Sequence, residues 1–289
     1  MESASIDFAL IIVLFNPDRK EIENVKHLSG AFYGVVVDNS PVPAFQCDTI
    51  GKMKYKPLRH NAGIAKAQNE GIEILRKDGK SKYIVFFDQD SEFSDSYPQS
   101  IVNEYIRINK LHDDKLSCLG PIIIDKGDGE EYKSAFHKVP ASEKGFVSKS
   151  EIISSGSCFS IKRFDEIGMF DERLFIDFVD TEWCFRSEAL GYVCGQTTNL
   201  KLEHTVGNRK FHLGRHIILL SAPFRYYYQY RNYLQLLFRG YVPKSFKFYR
   251  GVKHLLRWFY FPFLHGGFAR WKYMNKGILA GFSELIKSK

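Results

Sequence analysis

The chain contains 289 residues, a length that suits one large domain or a compact domain with an appendage. Hydrophobic residues make up 44% and charged residues 26%, which excludes the disordered and collagen-like classes. The five cysteines are scattered and form no CxxC pair, so their spacing argues against a disulfide framework or a structural zinc site.

Charge is distributed unevenly along the chain. Residues 209–289 hold 16 Lys and Arg against a single acid, Glu284, which gives a net charge of +15, and they hold 21 aromatic side chains. Residues 1–208 hold 25 Lys and Arg against 32 Asp and Glu, a net charge of −7. The sequence therefore predicts an acidic body, residues 1–208, joined to a basic, aromatic and helical tail, residues 209–289.

The body begins with alternating strand and helix signals. Four apolar runs predict buried strands: Phe8–Phe15, Gly34–Val37, Tyr83–Phe87 and Leu119–Ile124. Runs that are apolar on both faces are typical of parallel sheets covered by helices. Between them, Glu21–Leu28 and Ala62–Lys77 are expected to be helical, the second with Asn61 as N-cap and Gly79 within its stop signal. This order predicts a doubly wound α/β domain.

Polar residues directly follow three of the predicted strands. They are Asn16 after the first strand, Asp38 and Asn39 after the second, and Asp88, Gln89 and Asp90 after the third. Ligands of open α/β sheets bind beyond the carboxyl ends of the strands, so these side chains are candidate binding residues. Turn formation also explains each position taken alone, and their occurrence together at one sheet edge is the stronger evidence.

Asp88 and Asp90 place two carboxylates close together at a strand exit. Like charges raise one another's pKa, and a hard divalent cation removes their repulsion. Mg²⁺ and Mn²⁺ bind carboxylate oxygens, and Mg²⁺ sites commonly include substrate phosphates, so the pair is a candidate metal site. The first strand–helix turn, 15–20, contains no glycine, which disfavours a dinucleotide-binding fold or a P-loop. Bound phosphates would then be held by the metal and by basic side chains such as Arg59.

Seven segments of the body form an ordered set of motifs. They are IIVLFNPD (11–18), VVVDNS (35–40), RHNAGIAKAQNEGI (59–72), VFFDQD (85–90), SSGSCFSIKRFDEIGMFDE (154–172), FIDFVDTEWCFRSEALGY (175–192) and HTVGN (204–208). In this order they resemble the family 2 inverting glycosyltransferases of the GT-A fold. Within the family they are most similar to bacterial rhamnosyltransferases of O-antigen, lipopolysaccharide and capsule synthesis. The resemblance implies a Rossmann-like nucleotide-diphospho-sugar transferase domain.

The resemblance implies a donor site in the first three segments. Asp38 would contact the nucleotide base, with Asn39 beside it. Arg59, Asn61 and Gly63 match the motif that lies under the nucleotide.

The resemblance also implies a metal site. Asp88 and Asp90 match the family's Asp-x-Asp, with Asp90 as the more direct ligand of Mg²⁺ or Mn²⁺. His204 matches a histidine that completes this site in several relatives.

A catalytic base is implied by the VDTEW segment. Asp180 matches the aspartate of the family's Glu-Asp pair, which takes the proton of the acceptor hydroxyl as that hydroxyl attacks. Val179 occupies the usual Glu position, so Asp177 remains a second candidate base. Trp183 fits an aromatic side chain that lines the sugar site. The FIDFVDTEW form points to transfer of L-rhamnose from dTDP-L-rhamnose to a saccharide, with a UDP-hexose donor as the alternative.

Ordinary structural roles remain open for several of these residues. Asp180 and Glu182 also fit a solvated helix face on which Arg186 pairs with Glu182 at i+4. His204 alone fits a surface or core histidine, and Trp183 fits core packing as well as substrate stacking.

The tail carries apolar and aromatic residues at helical spacing with Lys and Arg among them, and Pro243 and Pro262 divide it into at least two helical pieces. Helices of this composition lie in a membrane interface, with their cations on anionic lipid. No secretory signal is visible, and no run approaches the roughly 20 apolar residues that span a bilayer. We therefore expect a cytoplasmic enzyme held peripherally on the inner face of the bacterial cytoplasmic membrane, near a lipid-linked saccharide acceptor.

Two other classes of protein stay open. Basic patches with interleaved aromatics also describe binders of single-stranded nucleic acid. That hypothesis leaves the acidic pair and the VDTEW segment unexplained, so we expect no nucleic-acid partner. A sugar-nucleotide pyrophosphorylase has a similar sheet, but its expected glycine- and arginine-rich first turn is missing from this sequence.

Overall fold

The computed structural model describes residues 8–125, 129, 131, 144–204, 209–213, 216–264 and 266–287, and for residues 204, 209–213 and 216–219 it describes the backbone alone. The strands are β1 (Phe8–Leu14), β2 (Gly34–Asp38), β3 (Thr49–Ile50), β4 (Met53–Pro57), β5 (Tyr83–Asp88), β6 (Leu116–Asp125), β7 (Phe146–Ser148), β8 (Cys158–Ser160), β9 (Val193–His204), β10 (Arg209–Leu213) and β11 (His216–Leu220). The helices are α1 (Arg19–Ala31), α2 (Ile64–Asp78), α3 (Tyr97–Leu111), α4 (Ile161–Ile167), α5 (Val179–Ala189), α6 (Pro223–Leu237), α7 (Lys244–Tyr260) and α8 (Gly267–Lys287). Short 3-10 helices cover Glu172–Leu174 and Phe261–Phe263.

Nine of the described strands form one mixed sheet in the order β3-β4-β2-β1-β5-β8-β6-β9-β7. The strands β4, β2, β1 and β5 run parallel, and β6 runs parallel to β9. The short strand β8 lies antiparallel between β5 and β6. The four predicted strands are therefore present as β1, β2, β5 and β6, in a sheet that is mixed rather than wholly parallel.

Both faces of the sheet are covered by apolar side chains. Along β1, Ile11 and Val13 belong to a core cluster on one face, whereas Leu10 and Ile12 belong to a cluster on the other. Since successive side chains of a strand point to opposite faces, a strand buried on both sides must be apolar throughout. This is the physical reason for the continuous apolar runs in the sequence.

The first two helices start and stop at local signals. Asp18 and Glu21 form a reciprocal capping box at the start of α1. Gly79, with its left-handed backbone, ends α2 as predicted. The start of α2 differs from the prediction: its N-cap is Gly63 rather than Asn61. The Asn61 side chain instead accepts hydrogen bonds from the Asn39 amide and from the Gly63 N–H.

Register brings the polar strand exits together. Leu14 of β1 is paired with Asp38 of β2, and Val13 of β1 is paired with Asp88 of β5. The carboxyl ends of β2, β1 and β5 therefore lie side by side, as the sequence predicts.

The described residues of the tail form three α-helices, as well as a backbone hairpin, β10–β11, which the sequence did not predict. Pro243 caps the start of α7, and Pro262 lies in the 3-10 helix between α7 and α8, so both prolines divide the tail where expected. The helices α6 and α8 pack so closely that a Cβ atom at Gly277 of α8 would lie 2.3 Å from the Tyr227 carbonyl oxygen of α6. The predicted boundary after Asn208 lies outside the described residues. None of the helices in the described ranges combines the length and apolarity needed to cross a bilayer.

Candidate functional site at the sheet edge

The exits of β1, β2 and β5 are joined by hydrogen bonds. The N–H of Asn16 donates to Ser40 Oγ at 2.8 Å. The Gln89 side-chain amide accepts from the Phe15 N–H at 2.6 Å and donates to the Phe15 carbonyl at 3.3 Å. The Gln89 amide therefore joins two strand ends, and its role as a candidate binding residue stays a prediction. Asn16 is exposed beside it and stays a candidate binding residue.

Asp38 is buried beneath this edge. Its carboxylate accepts hydrogen bonds from the Tyr55 hydroxyl at 2.5 Å, the Ala44 N–H at 2.7 Å and the Ser40 N–H at 2.9 Å. The prediction that Asp38 contacts a nucleotide base is corrected by this arrangement, because the carboxylate is covered and occupied. Asp38 instead fixes the loop that follows β2.

The loop before α2 lies against the β2 exit. Asn39 Nδ2 donates to Asn61 Oδ1 at 3.0 Å, and Arg59 is exposed on the same loop. Gly63 has a φ of +88°, and a Cβ there would lie 2.7 Å from the Phe175 carbonyl oxygen. Only glycine combines this backbone with such close approach. The structure thus brings Asn39, Arg59, Asn61 and Gly63 together.

The acidic pair follows β5. The N–H of Asp88 lies 3.1 Å from Ser91 Oγ and 3.4 Å from Ser155 Oγ, so the backbone at this position is held from two sides. Asp88 is partly buried and Asp90 is exposed. The side chain of His204, the third predicted metal ligand, lies outside the described part of the structure.

Asp180 lies in the first turn of α5, and its Oδ2 accepts a hydrogen bond from the Ser154 N–H at 3.2 Å. Burial, together with the negative charges of Asp88 and Asp177, raises the pKa of the Asp180 carboxyl to about 7, against the lowering effect of the hydrogen bond from Ser154. Asp180 and Asp88 therefore share one electrostatic environment, although 92 positions separate them in the chain. A carboxylate with a pKa near neutrality is suited to general base catalysis.

Asp177, the second candidate base, is held by the tail. Arg225 of α6 donates from Nη2 to Asp177 Oδ1 at 2.6 Å and from Nε to Oδ2 at 3.1 Å. A bidentate guanidinium bond stabilises the carboxylate anion and occupies both oxygens. The geometry therefore favours Asp180 over Asp177 as the proton acceptor.

Trp183 and Glu182 are core residues. Trp183 is fully buried and its Nε1 donates to the Gly168 carbonyl at 2.8 Å, so the prediction that it lines a sugar site is corrected. Glu182 does pair with Arg186 at 3.1 Å, but it is buried and also binds Arg239 at 3.1 Å. Glu182 and Arg186 therefore belong to a buried ion-pair network rather than to the expected solvated helix face.

A cavity of about 150 Å³ opens beside Asp180. Its lining combines residues of the body and of α7: Gly120, Pro121, Ile123, Lys149, Glu151, Ile152, Ile153, Asp180, Thr181, Gln196 and Arg250. Lys149 donates to Gln196 Oε1 at 3.3 Å, and Arg250 lies 3.4 Å from Glu151. Burial lowers the pKa of the Lys149 ammonium. The cavity thus offers several hydrogen-bonding groups next to the candidate base.

Sequence reasoning missed the residues that support this site. Ser154 and Ser155 join Asp180 to the Asp88 backbone, and their SSGS segment was the available signal. Arg225 and Arg250 reach the site from the tail, and no local pattern distinguishes them from the other tail cations.

A separate cluster of cysteines lies in the core of the body. The thiols of Cys118, Cys184 and Cys194 lie within 4.8 Å of one another, which the scattered spacing did not predict. Burial raises the pKa of the Cys118 thiol. Such thiols pack as small apolar side chains.

The fold agrees with solved glycosyltransferase structures. S. aureus TarS 1-349 in complex with UDP has a TM-score of 0.52 at 15% identity, covering 88% of this chain and 72% of that one. The structure of GalNAc-T7 with UDP, GalNAc and Mn²⁺ has a TM-score of 0.50 at 12% identity, covering 71% of this chain and 45% of that one. The chain thus spans less than half the length of GalNAc-T7. The sheet and its carboxylate-lined edge define a GT-A fold.

The sequence comparison is more specific. Residues 34–165 match Glycosyl transferase family 2. The dTDP-rhamnosyl transferase RfbF of Shigella flexneri is 34% identical over 256 residues, covering 81% of this chain and 80% of that protein. The chain belongs to glycosyl transferase family 2 and is a glycosyltransferase.

Proposed function

We propose that the enzyme transfers L-rhamnose from dTDP-L-rhamnose to a saccharide acceptor, with inversion, in the synthesis of a bacterial surface polysaccharide such as O-antigen. The observation that carries the proposal is the position of Asp180. The negative charge of Asp88 acts on its carboxyl group, and Asp180 also lines the cavity. The similarity to RfbF supports the choice of donor.

In this proposal Asp180 is the general base. An inverting transfer is one displacement at the anomeric carbon, in which the acceptor hydroxyl attacks as the nucleoside diphosphate leaves. Asp180 accepts the hydroxyl proton, and the Ser154 N–H holds its carboxylate in place. The acceptor hydroxyl attacks one face of the sugar and the nucleoside diphosphate leaves from the opposite face. This geometry suits a base that lies apart from the acidic pair.

The donor would lie along the joined strand exits. Asn39 and Asn61 form a polar floor there, with Arg59 exposed at its margin. We expect the nucleotide to use the exposed Asn61 amide and the Arg59 guanidinium, whereas Asn39, buried like Asp38, would support Asn61 from beneath.

Asp88 and Asp90 would hold Mg²⁺ or Mn²⁺ together with the donor diphosphate. Their hard oxygens suit these ions, and the negative charge of Asp88, which acts on Asp180, supports this proposal. When bound, the cation would supply neutralisation of the charge that develops on the departing diphosphate. We expect treatment with EDTA to lower turnover at least about 100-fold, and Mn²⁺ or Mg²⁺ to restore it. Full activity in EDTA would contradict the metal proposal.

The acceptor sugar would enter the cavity beside Asp180. Lys149, Gln196 and Arg250 offer donors and acceptors that suit sugar hydroxyls. Because Arg250 belongs to α7, the tail would contribute directly to recognition of the acceptor.

The tail would also attach the enzyme to an anionic membrane. Phe248, Val252, Leu255, Leu256 and Phe259 recur on one side of α7 and are each between 41% and 66% exposed. This exposed apolar stripe, in a segment with a net charge of +15, suits the interface of an anionic bilayer, where each cation contributes about 1 kcal/mol. A lipid-linked saccharide would be the acceptor available there.

A thermal-shift screen tests the donor. A ligand that binds only the folded state raises Tm, so dTDP-L-rhamnose with Mg²⁺ or Mn²⁺ should raise Tm more than UDP-glucose or UDP-galactose does. A larger shift with a UDP-hexose would favour the alternative donor. No shift with any sugar nucleotide would contradict a nucleotide-sugar donor.

A further inference from the structure

The segment before α5 has a strained backbone. Phe175, Asp177 and Phe178 have φ values of 64°, 67° and 65°, in the left-handed region that non-glycine residues rarely adopt. Such a backbone conformation is strained and persists only where surrounding contacts enforce it. The segment 173–178, which we call the bridge segment, therefore needs an external support.

That support comes from α6 in the tail. Asn232 Nδ2 lies 2.8 Å from the Leu174 carbonyl oxygen and 2.9 Å from those of Ile176 and Asp177. The amide group of this one side chain therefore lies within hydrogen-bond distance of three carbonyl oxygens of the strained backbone. Asn232 is fully buried, so its bonds do not compete with water.

Arg231 supports the same segment one residue earlier in α6. Its Nη2 donates to the Arg173 carbonyl at 2.6 Å and to the Leu174 carbonyl at 3.1 Å, while Nε donates to Asn232 Oδ1 at 2.9 Å. Arg231 is 9% exposed. The guanidinium therefore holds the bridge segment and orients the Asn232 amide at the same time.

The bridge segment joins the two halves of the site. At one end the Phe175 carbonyl accepts from the Ile64 N–H at 2.8 Å and lies against Gly63, next to the loop that carries Arg59 and Asn61. At the other end Phe178 is the N-cap of α5, two residues before Asp180. A shift of this segment would move the base relative to the donor loop.

We infer that Asn232 and Arg231 are positioning residues of the transfer reaction, which hold the bridge segment so that Asp180 faces the reacting hydroxyl. The inference rests on the proposed role of Asp180 as base. It makes α6 part of the catalytic apparatus, in addition to any role of the tail at a membrane.

The test replaces Asn232 by Leu, which keeps the side-chain volume and removes the amide. Turnover is followed as dTDP release from dTDP-L-rhamnose with a water-soluble aryl glycoside as acceptor, and nucleotide affinity is measured by titration with dTDP. We expect N232L to lower kcat about 10- to 100-fold and to change the Kd for dTDP less than threefold, because the misplaced group is the base. N232Q, which retains the amide, should recover part of the loss.

Asn275→Leu is the matched control. Asn275 on α8 accepts from Trp258 Nε1 at 3.1 Å and donates to the Trp271 carbonyl at 2.8 Å, within the tail and away from the bridge segment. We expect N275L to lower Tm without lowering kcat of the folded enzyme. If N232L does not fold, R231K, which keeps the charge but loses the forked donors, provides the same comparison.

The outcomes separate the inference from the proposed function. Wild-type kcat in folded N232L or R231K would overturn the inference while leaving Asp180 as base if D180N is inactive. An active D180N enzyme would overturn the assigned base itself. Equal losses of kcat in N232L and N275L would reduce Asn232 to a general stability role and overturn the inference.

Discussion

The body and the tail contribute to the same cleft by different physical means. The body supplies Asp88 from a strand exit, where register fixes it beside β1. The tail supplies Arg225 and Arg250 from helices whose places depend on tertiary contacts alone. The comparison shows that cations of the basic tail, Arg225 and Arg250, lie beside the acidic candidate site of the body, so the opposite net charges of the two regions need not mean separate functions.

Replacement of the base tests the body most severely. We expect Asp180→Asn to lower kcat about 10²- to 10⁴-fold, the usual contribution of a general base, with dTDP affinity retained. In the wild-type enzyme, kcat should rise as the pH increases through about 7, because the carboxyl must lose its proton to act. Steady-state kinetics across pH 5–9 measure both effects. If D180N kept near-normal turnover, Asp177 would be the next candidate.

The same substitution should increase stability. The pKa of Asp180 is raised from 3.8 to about 7 in the folded protein, so folding favours the protonated carboxyl. The contribution of this group to the free energy of unfolding is therefore complete below pH 3.8 and is lost as the pH rises through about 7. In EDTA at pH 8, Asp180→Asn should therefore be more stable than wild type by about 2 kcal/mol, a value discounted for partial exposure, which corresponds to roughly 3 °C in Tm for a chain of this length. The difference should vanish near pH 4. A lower Tm for D180N at pH 8 would argue against a strained, protonation-sensitive site.

The tail's part in acceptor binding is tested by Arg250→Ala. We expect the acceptor KM to rise about tenfold while the donor KM stays within twofold, because Arg250 lines the cavity and not the strand exits. Arg270→Ala is the control, since Arg270 also bonds tail carbonyls, those of Ser221 and Gly266, but does not line the cavity. A rise in donor KM alone would assign Arg250 to the other half of the site.

The smallest effect on chemistry is expected at the membrane face. Leu255→Ser should weaken binding to vesicles of mixed anionic and neutral phospholipid about fivefold, through loss of apolar burial, without changing kcat on a soluble acceptor. Leu111→Ser, which alters a 44% exposed leucine of the body, should leave vesicle binding unchanged. Co-sedimentation over a salt series measures both. Equal behaviour of the two variants would reject α7 as the contact surface.

The sequence predicted what local physics determines. The strands β1, β2, β5 and β6 follow from apolar runs, and the meeting of Asp38 and Asp88 at one edge follows from parallel register. The structure contradicts the base contact expected of Asp38, whose carboxylate is enclosed by its own loop, because motif position says nothing about burial. For Trp183 the sequence left two roles open, and the buried indole favours core packing.

The supporting contacts could not be predicted for a different reason. Asn232 and the Asp177 backbone are 55 positions apart, and their contact depends on where α6 docks rather than on any periodicity. The positive φ values of the bridge segment could not be predicted either, because its residues 175–178, FIDF, include no glycine, the residue that usually marks such a backbone. Long-range docking and enforced backbone strain are properties of the folded whole.

The two sides of α7 have a consequence for substrate geometry. Arg250 borders the cavity beside Asp180 on one side of the helix, while Leu255 and Leu256 are exposed on another. With its side chains an α-helix is about 10 Å thick. In an enzyme that rests on a bilayer through α7, the thickness of this helix would set the distance between the bilayer and Asp180. Only a lipid-linked saccharide whose anchor is long enough to span that distance would reach Asp180.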